Sequence, residues 1–138
     1  MSISYLIYSS RPFGFDTAGL NAILLTARRN NARDGITGAL IVRHDLYLQW
    51  LEGPKDALVA LFRRITNDDR HLDIVQHDAG DAPTRAFAAW AMRDDPAASW
   101  MWSPAEVEND ALRTATPGDI RAIFARLSAD NREIDDVA

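Results

Sequence analysis

The sequence contains no cysteine. Disulfides, thiolate catalysis and cysteine-based zinc sites are therefore excluded, and the absence fits a cytoplasmic setting. Long apolar runs are also missing. Nothing approaches the roughly 20 apolar residues that a membrane span needs. The N-terminal MSISYLIYSSRP has no basic flank before its short apolar stretch. A soluble, untargeted protein without membrane association is expected. There is no G-x-G-x-x-G, no P-loop and no recognisable Ser or Thr nucleophile motif. The three histidines, His44, His71 and His77, show no metal-ligand spacing. Nothing argues for ground-state acid–base or covalent catalysis, so no enzyme and no metal site are expected.

Basic stripes are lacking as well. Residues 1–93 carry 11 Lys and Arg against 10 Asp and Glu, whereas residues 94–138 carry 4 against 10. The net charge of −5 thus belongs to the C-terminal third. Neither part offers a nucleic-acid footprint. The 138 residues suffice for one domain with a core and an appendage. No repeat or low-complexity linker divides them.

What is present reads as α+β. ISYLIYS (3–9) is β-branched and aromatic, a first strand. After a Pro/Gly loop, Asp16 or Thr17 caps a helix running to about Asn31, with Leu20, Ile23, Leu24 and Ala27 on one face. Gly35 suits its exit. ITGALIV (36–42) and LYLQWLE (46–52) form a hairpin, and Gly53-Pro54 leads into a helix faced by Leu58, Leu61, Phe62 and Ile65. Strands near 72–78 and 86–93 follow. The expected fold is a ferredoxin-like βαββαβ core with an extra fifth strand, a mixed sheet with two helices on one face. Strand 46–52 is apolar on both sides, so something must cover the second face. The helix opened by Thr116-Pro117, with Ile120, Ile123, Phe124 and Leu127 at helical spacing, is the expected cover. This gives a core over 1–95 and an acidic helical extension over 96–138 ending in a loose NREIDDVA.

Three polar residues stand where the pattern asks for apolar ones. Asn31 falls on the apolar stripe of the first helix, although an asparagine near a helix end also serves as a cap. Gln49 sits mid-strand on the face of Tyr47 and Leu51; the ordinary alternative is a solvent-facing glutamine. Tyr8 ends the first strand, where a phenol is as often a rim residue as a functional donor. Together they offer the donors and acceptors that hold a flat, multiply hydrogen-bonding heterocycle in an apolar cleft. Trp90 and Met92 share a face of the last strand, with core packing as the plain reading. Arg64 and Asp68 are an i, i+4 pair of the kind that is usually a surface salt bridge.

In the segments YLIYSSR (5–11), NNARDGITGALI (30–41), LYLQWLEGP (46–54), NDDRH (67–71) and RAFAAWAMR (85–93) the chain resembles the BLUF family, domains that sense blue light using FAD. The run N-A-R-x-x-[IL]-T-G-x-L followed by Q-W-L-E-G is long and specific. The resemblance implies a photoreceptor holding FAD non-covalently; the choice of FAD over FMN rests on the family alone. By resemblance, Tyr8 is the photo-oxidised tyrosine, Gln49 the switching glutamine and Asn31 the asparagine on the polar edge of the ring, with Asn30 beside it. Trp90 and Met92 match signalling positions near Gln49, and Arg64 and Asp68 positions near the outer edge of the cofactor. The acidic extension resembles the C-terminal helices of short stand-alone members, which implies a separate downstream signalling partner. Small sheet domains often bury apolar surface against a second copy, so a homodimer or higher homo-oligomer is a candidate state that no residue fixes. Two other classes remain open: a cofactor-free regulatory or oligomerisation module, and an acylphosphatase-type hydrolase using Arg11 and Asn31.

Overall fold

The computed structural model describes residues 3–12, 17–43, 45–67, 71–87, 93–96, 103–108 and 111–129. In chain order these form β1 (Ile3–Pro12), α1 (Thr17–Asp34), β2 (Thr37–Arg43), β3 (Leu46–Gly53), α2 (Lys55–Thr66), β4 (His71–Ala82), β5 (Arg93–Pro96), α3 (Pro104–Glu108), α4 (Ala111–Thr114) and α5 (Pro117–Ala129). The strands make one sheet in the order β4-β1-β3-β2-β5. Neighbouring strands are antiparallel, except that β5 runs parallel to β2. With β3 inserted between β1 and β2, this is the ferredoxin-like core, made mixed by its fifth strand.

The hairpin, both sheet-packing helices and the opening of α5 lie where the sequence pattern put them. The last strands differ. Ala86 and Phe87 lie in a bend, and their N–H groups donate to the Glu52 side chain instead of a strand ladder. The described fifth strand is Arg93–Pro96, and residues 88–92 lie outside the described residues. The expected cap at Asp16, the side chain of Leu20 and the tail beyond Ala129 lie outside them too. β4 is also longer than 72–78. Its register with β1 passes from Ile7↔Asp78 to Tyr8↔Gln76, leaving His77 as an extra residue. Such a bulge breaks the period-two pattern by which a strand's extent is read.

Alternation along the strands builds two apolar cores. On one face Tyr8, Leu40, Tyr47 and Leu51 meet Leu24 of α1 and Leu58 of α2. On the other, Ile7, Ala39, Ile41, Leu46 and Leu48 meet Val107 of α3 and Ile120 and Phe124 of α5. The C-terminal helix therefore covers the face that strand 46–52 would have left wet. A reciprocal capping box starts α5: the Asp119 N–H donates to Thr116 Oγ1 and the Thr116 N–H to Asp119 Oδ2, each at 3.1 Å. Trp50 anchors the helix. Its ring stacks on Tyr5, with centroids 5.0 Å apart, and packs on Phe124 at 5.6 Å.

The β4 bulge adds polar fastenings beneath α5. It lets consecutive side chains reach β1: His77 Nε2 lies 2.7 Å from Ser9 Oγ, and Asp78 accepts from the Tyr5 hydroxyl at 2.8 Å. Arg121 of α5 donates to the same Asp78 oxygen. Burial pushes the His77 imidazole below its ordinary value. Burial also pulls the Asp78 carboxyl upward, but hydrogen bonds from Arg121 and Tyr5 outweigh it and hold the group below the usual carboxylate range.

Two expectations follow from this packing. A Cβ added at Gly38 would sit 2.0 Å from the backbone oxygen of Trp50. Gly38→Ala should therefore cost about 1–3 kcal/mol, read as a lowered urea midpoint; an unchanged midpoint would contradict the close β2–β3 approach. For Asp78 the folded-state value is the depressed one. Its contribution is complete above the ordinary carboxyl value near ~3.9 and fades as pH falls through the lower folded value. NMR titration of Arg121→Ala should move the Asp78 carboxyl back up toward its ordinary value; an unmoved carboxyl would contradict the Arg121 contact.

Candidate functional site

The site begins with a register. Tyr8 of β1 pairs directly with Gln49 of β3, and Gln49 in turn with Leu40 of β2. Residues opposite one another in an antiparallel sheet project to the same face with Cβ atoms about 5 Å apart. Tyr8, Gln49 and Leu40 thus form one row on the face covered by α1 and α2. The Tyr8 hydroxyl donates to Gln49 Oε1. Both side chains are buried, Tyr8 at 0% and Gln49 at 7% exposure. The solvent-facing alternative for Gln49 and the rim alternative for Tyr8 are excluded.

Helix α1 supplies the opposite wall. It continues to Asp34, so Asn31 lies inside its last turn. Its carbonyl accepts from the Ile36 N–H at 2.9 Å, helping the chain turn out through Gly35, whose φ of 74° is the left-handed value a glycine takes without penalty. The Asn31 side chain is 1% exposed. Its Oδ1 atom is a buried acceptor that no donor of the described residues reaches, while other atoms of the residue are bonded. The Asn31 backbone thus joins the helix exit while its side chain is buried in the interior.

These residues converge on one cavity of about 240 Å³, lined by Tyr8, Asn31 and Gln49 with Asn30, Arg64 and an apolar set from both helices. The apolar lining comes from Ile23, Ala27, Leu61 and Ile65 beside Leu40. Phe62 of α2 packs against the Tyr8 ring at 5.5 Å and fixes its plane. Arg64 stands half-exposed at the rim, its guanidinium 3.7 Å from Asp34 Oδ2. Its expected neighbour Asp68, together with Trp90 and Met92, lies outside the described residues. Arg11, weighed for phosphoryl binding, is exposed and does not line this cavity.

A larger cavity, about 490 Å³, lies between α2 and the β1–β4 edge. Its lining includes Tyr5, Lys55, Arg63, Gln76 and Asp81 but not Tyr8, Gln49 or Asn31. Size alone does not mark the site; convergent polar groups in an apolar cleft do.

One further residue belongs in this account and was not singled out from the sequence. Glu52 is 1% exposed and binds the Trp50 indole N–H and the Ala86 and Phe87 amides. The signal was available: an acidic residue in register with Leu48 and Trp50 is a polar group on a covered face, the criterion that had marked Gln49.

Comparison with known proteins bears on what this geometry is for. A family model described as sensors of blue-light using FAD, BLUF, matches residues 3–93. The beta subunit of the photoactivated adenylate cyclase of Euglena longa is 39% identical over 92 residues, 66% of this chain and 10% of that protein. The blue light- and temperature-regulated antirepressor BluF of Escherichia coli (strain K12) is 35% identical over 66 residues, 48% of this chain and 16% of that one. Among solved structures, the dark state of BlrB, a BLUF protein, superposes with a TM-score of 0.78 at 29% identity, covering 93% of this chain and 96% of that chain. The chain spans about a tenth of the length of the cyclase subunits it matches.

Proposed function

This chain belongs to the BLUF family of blue-light sensors, and we propose that it holds a flavin non-covalently between α1 and α2 and answers blue light through Tyr8 and Gln49. The observation that carries the reading is the Tyr8 hydroxyl donating to Gln49 Oε1 in a cavity that Asn31 also lines. A flat ring with carbonyl and nitrogen acceptors along one edge needs apolar walls and amide partners, and the donor set fits that need. Asn31, with Asn30, is assigned to the polar edge of the ring and Gln49 to its reactive centre. Arg64, with Asp68, is assigned to the outer parts of the cofactor, and Trp90 and Met92 to the neighbourhood of Gln49. FAD is the cofactor that the family description favours, and FMN presents the same ring.

When bound and excited, a flavin supplies a strong oxidant. The Tyr8 phenol is placed to give up an electron, its proton leaving along the hydrogen bond to Gln49 Oε1. Gln49 rearranges its amide while Tyr8 is oxidised. Return of the electron and proton restores Tyr8, with the new Gln49 arrangement left behind. No bond is made or broken in a substrate, so the role is sensing and not turnover. The rearranged hydrogen bond is worth on the order of 1 kcal/mol. We assign residues 1–95 to light reception and the helical extension over 96–138 to output toward a downstream protein.

One absorption spectrum before and after illumination tests this. The purified protein should be yellow, with a band that moves to longer wavelength in blue light and returns in the dark. Tyr8→Phe and Gln49→Leu should each keep flavin and lose the shift; a normal shift in either would remove that residue from the mechanism. Asn31→Ala should weaken flavin binding roughly five-fold, the equivalent of one hydrogen bond of about 1 kcal/mol. A colourless protein that gains no colour from added FAD would defeat the reading.

A further inference from the structure

Glu52 is the buried ionisable group, among the described residues, that the flavin reading leaves without a task. It lies three residues beyond Gln49 in β3, on the opposite face of the strand. Its Oε1 accepts from the Trp50 indole N–H at 3.0 Å and from the Ala86 amide at 2.8 Å. Its Oε2 accepts from the Thr37 hydroxyl and the Phe87 amide, both at 2.8 Å. Four donors meet the four acceptor positions of a carboxylate, which leaves none unsatisfied. Arg85 closes the ring by donating to Thr37 Oγ1 at 2.9 Å and to the Gly35 carbonyl at 2.7 Å.

The partners of this carboxylate belong to three different parts of the molecule. Trp50 carries the aromatic packing that seats α5 through Phe124. Thr37 opens β2, and Arg85 ties it to the exit of α1, whose last turn bears Asn31. Ala86 and Phe87 form the bend three to four residues ahead of Trp90, and Phe87 packs on both Trp50 and Phe124. A buried, fully bonded anion is stiff, because any displacement leaves a donor or an oxygen unsatisfied in a low-dielectric surrounding. A shift of β3 that starts at Gln49 must move Glu52 with it or strain this set.

We propose that Glu52 is a positioning residue that joins the strand bearing Gln49 to the Ala86–Phe87 bend and to the face that α5 covers. It pins the dark arrangement of both. The proposal rests on the flavin reading and adds a residue that touches no cofactor. In Glu52→Gln one acceptor oxygen is replaced by an NH₂ facing donors, so at least one backbone amide of the bend is released. Tyr8, Gln49 and the cavity lie on the other face and are untouched.

The test is carried out on the full chain with flavin bound. Glu52→Gln should retain the light-induced absorption shift, increase hydrogen exchange at the Ala86 or Phe87 amide at least tenfold in the dark, and slow dark recovery at least fivefold, since the light form no longer competes with a pinned bend. Thr37→Val, which deletes one donor to Oε2, should give a smaller change in the same direction and carries the test if Glu52→Gln does not fold. Exchange and recovery within twofold of wild type, in whichever variant folds, would overturn the proposal while leaving the light-sensor reading standing. A wild-type protein that binds no flavin or shows no shift defeats that reading itself, and the Glu52 proposal falls with it.

Discussion

The pairing of β1 with β3 is the constraint on which the rest depends, because it sets Tyr8 opposite Gln49 on the face that α1 and α2 cover. A slip of one residue would turn the Gln49 amide toward Phe124 and carry the Trp50 indole into the cavity. The Tyr8–Gln49 hydrogen bond does not hold this register, being worth about 1 kcal/mol net. Burial does. Ile7, Leu46 and Leu48 are sealed on one face and Leu40 and Leu51 on the other, each worth roughly 1.5–3 kcal/mol relative to exposure. Since the fold owes its alignment to these apolar residues, the hydrogen bond can rearrange without endangering the structure.

Strand β3 also explains how an event on one face can be felt on the other. Gln49 points to the helices α1 and α2, whereas Trp50 and Glu52 belong to the face that α5 covers. A pleated strand cannot shift one set of side chains and leave its neighbours behind. The elements that would register such a shift are attached by strong local contacts, the Trp50–Phe124 packing and the four hydrogen bonds at Glu52. No wire of residues across the molecule is required; the two faces share one backbone.

Much of this was legible in the sequence, for identifiable reasons. Period-two and period-3.6 patterns placed the hairpin, both sheet-packing helices and α5, because each must bury one apolar face. The misplaced polar residues Asn31 and Gln49 were readable for the same reason, since a polar side chain on an apolar stripe needs a partner inside. The β4 bulge was not legible, because the extra His77 breaks the alternation that a strand is read by. Nor was the bend at Ala86 and Phe87, where a β-like pattern is overruled by amides that find a carboxylate distant in sequence. Glu52 was visible but unread, a charged residue at the end of an apolar strand being easily taken for a strand exit.

The energy scale limits what such a domain can transmit. A rearranged hydrogen bond of about 1 kcal/mol shifts a two-state equilibrium about five-fold, far from the 5.5 kcal/mol or so that would take it from almost empty to almost full. A several-fold bias is read only by an effector whose affinities for the two arrangements differ. The stretch matched to the family ends at residue 93, whereas the helix covering the second face, α5, begins at Pro117. The stretch matched to the family and the helix that covers the second face are therefore different parts of the chain, joined through the packing of Trp50 in β3 on Phe124. An effector that bound both arrangements equally well would receive no signal, however tightly it bound.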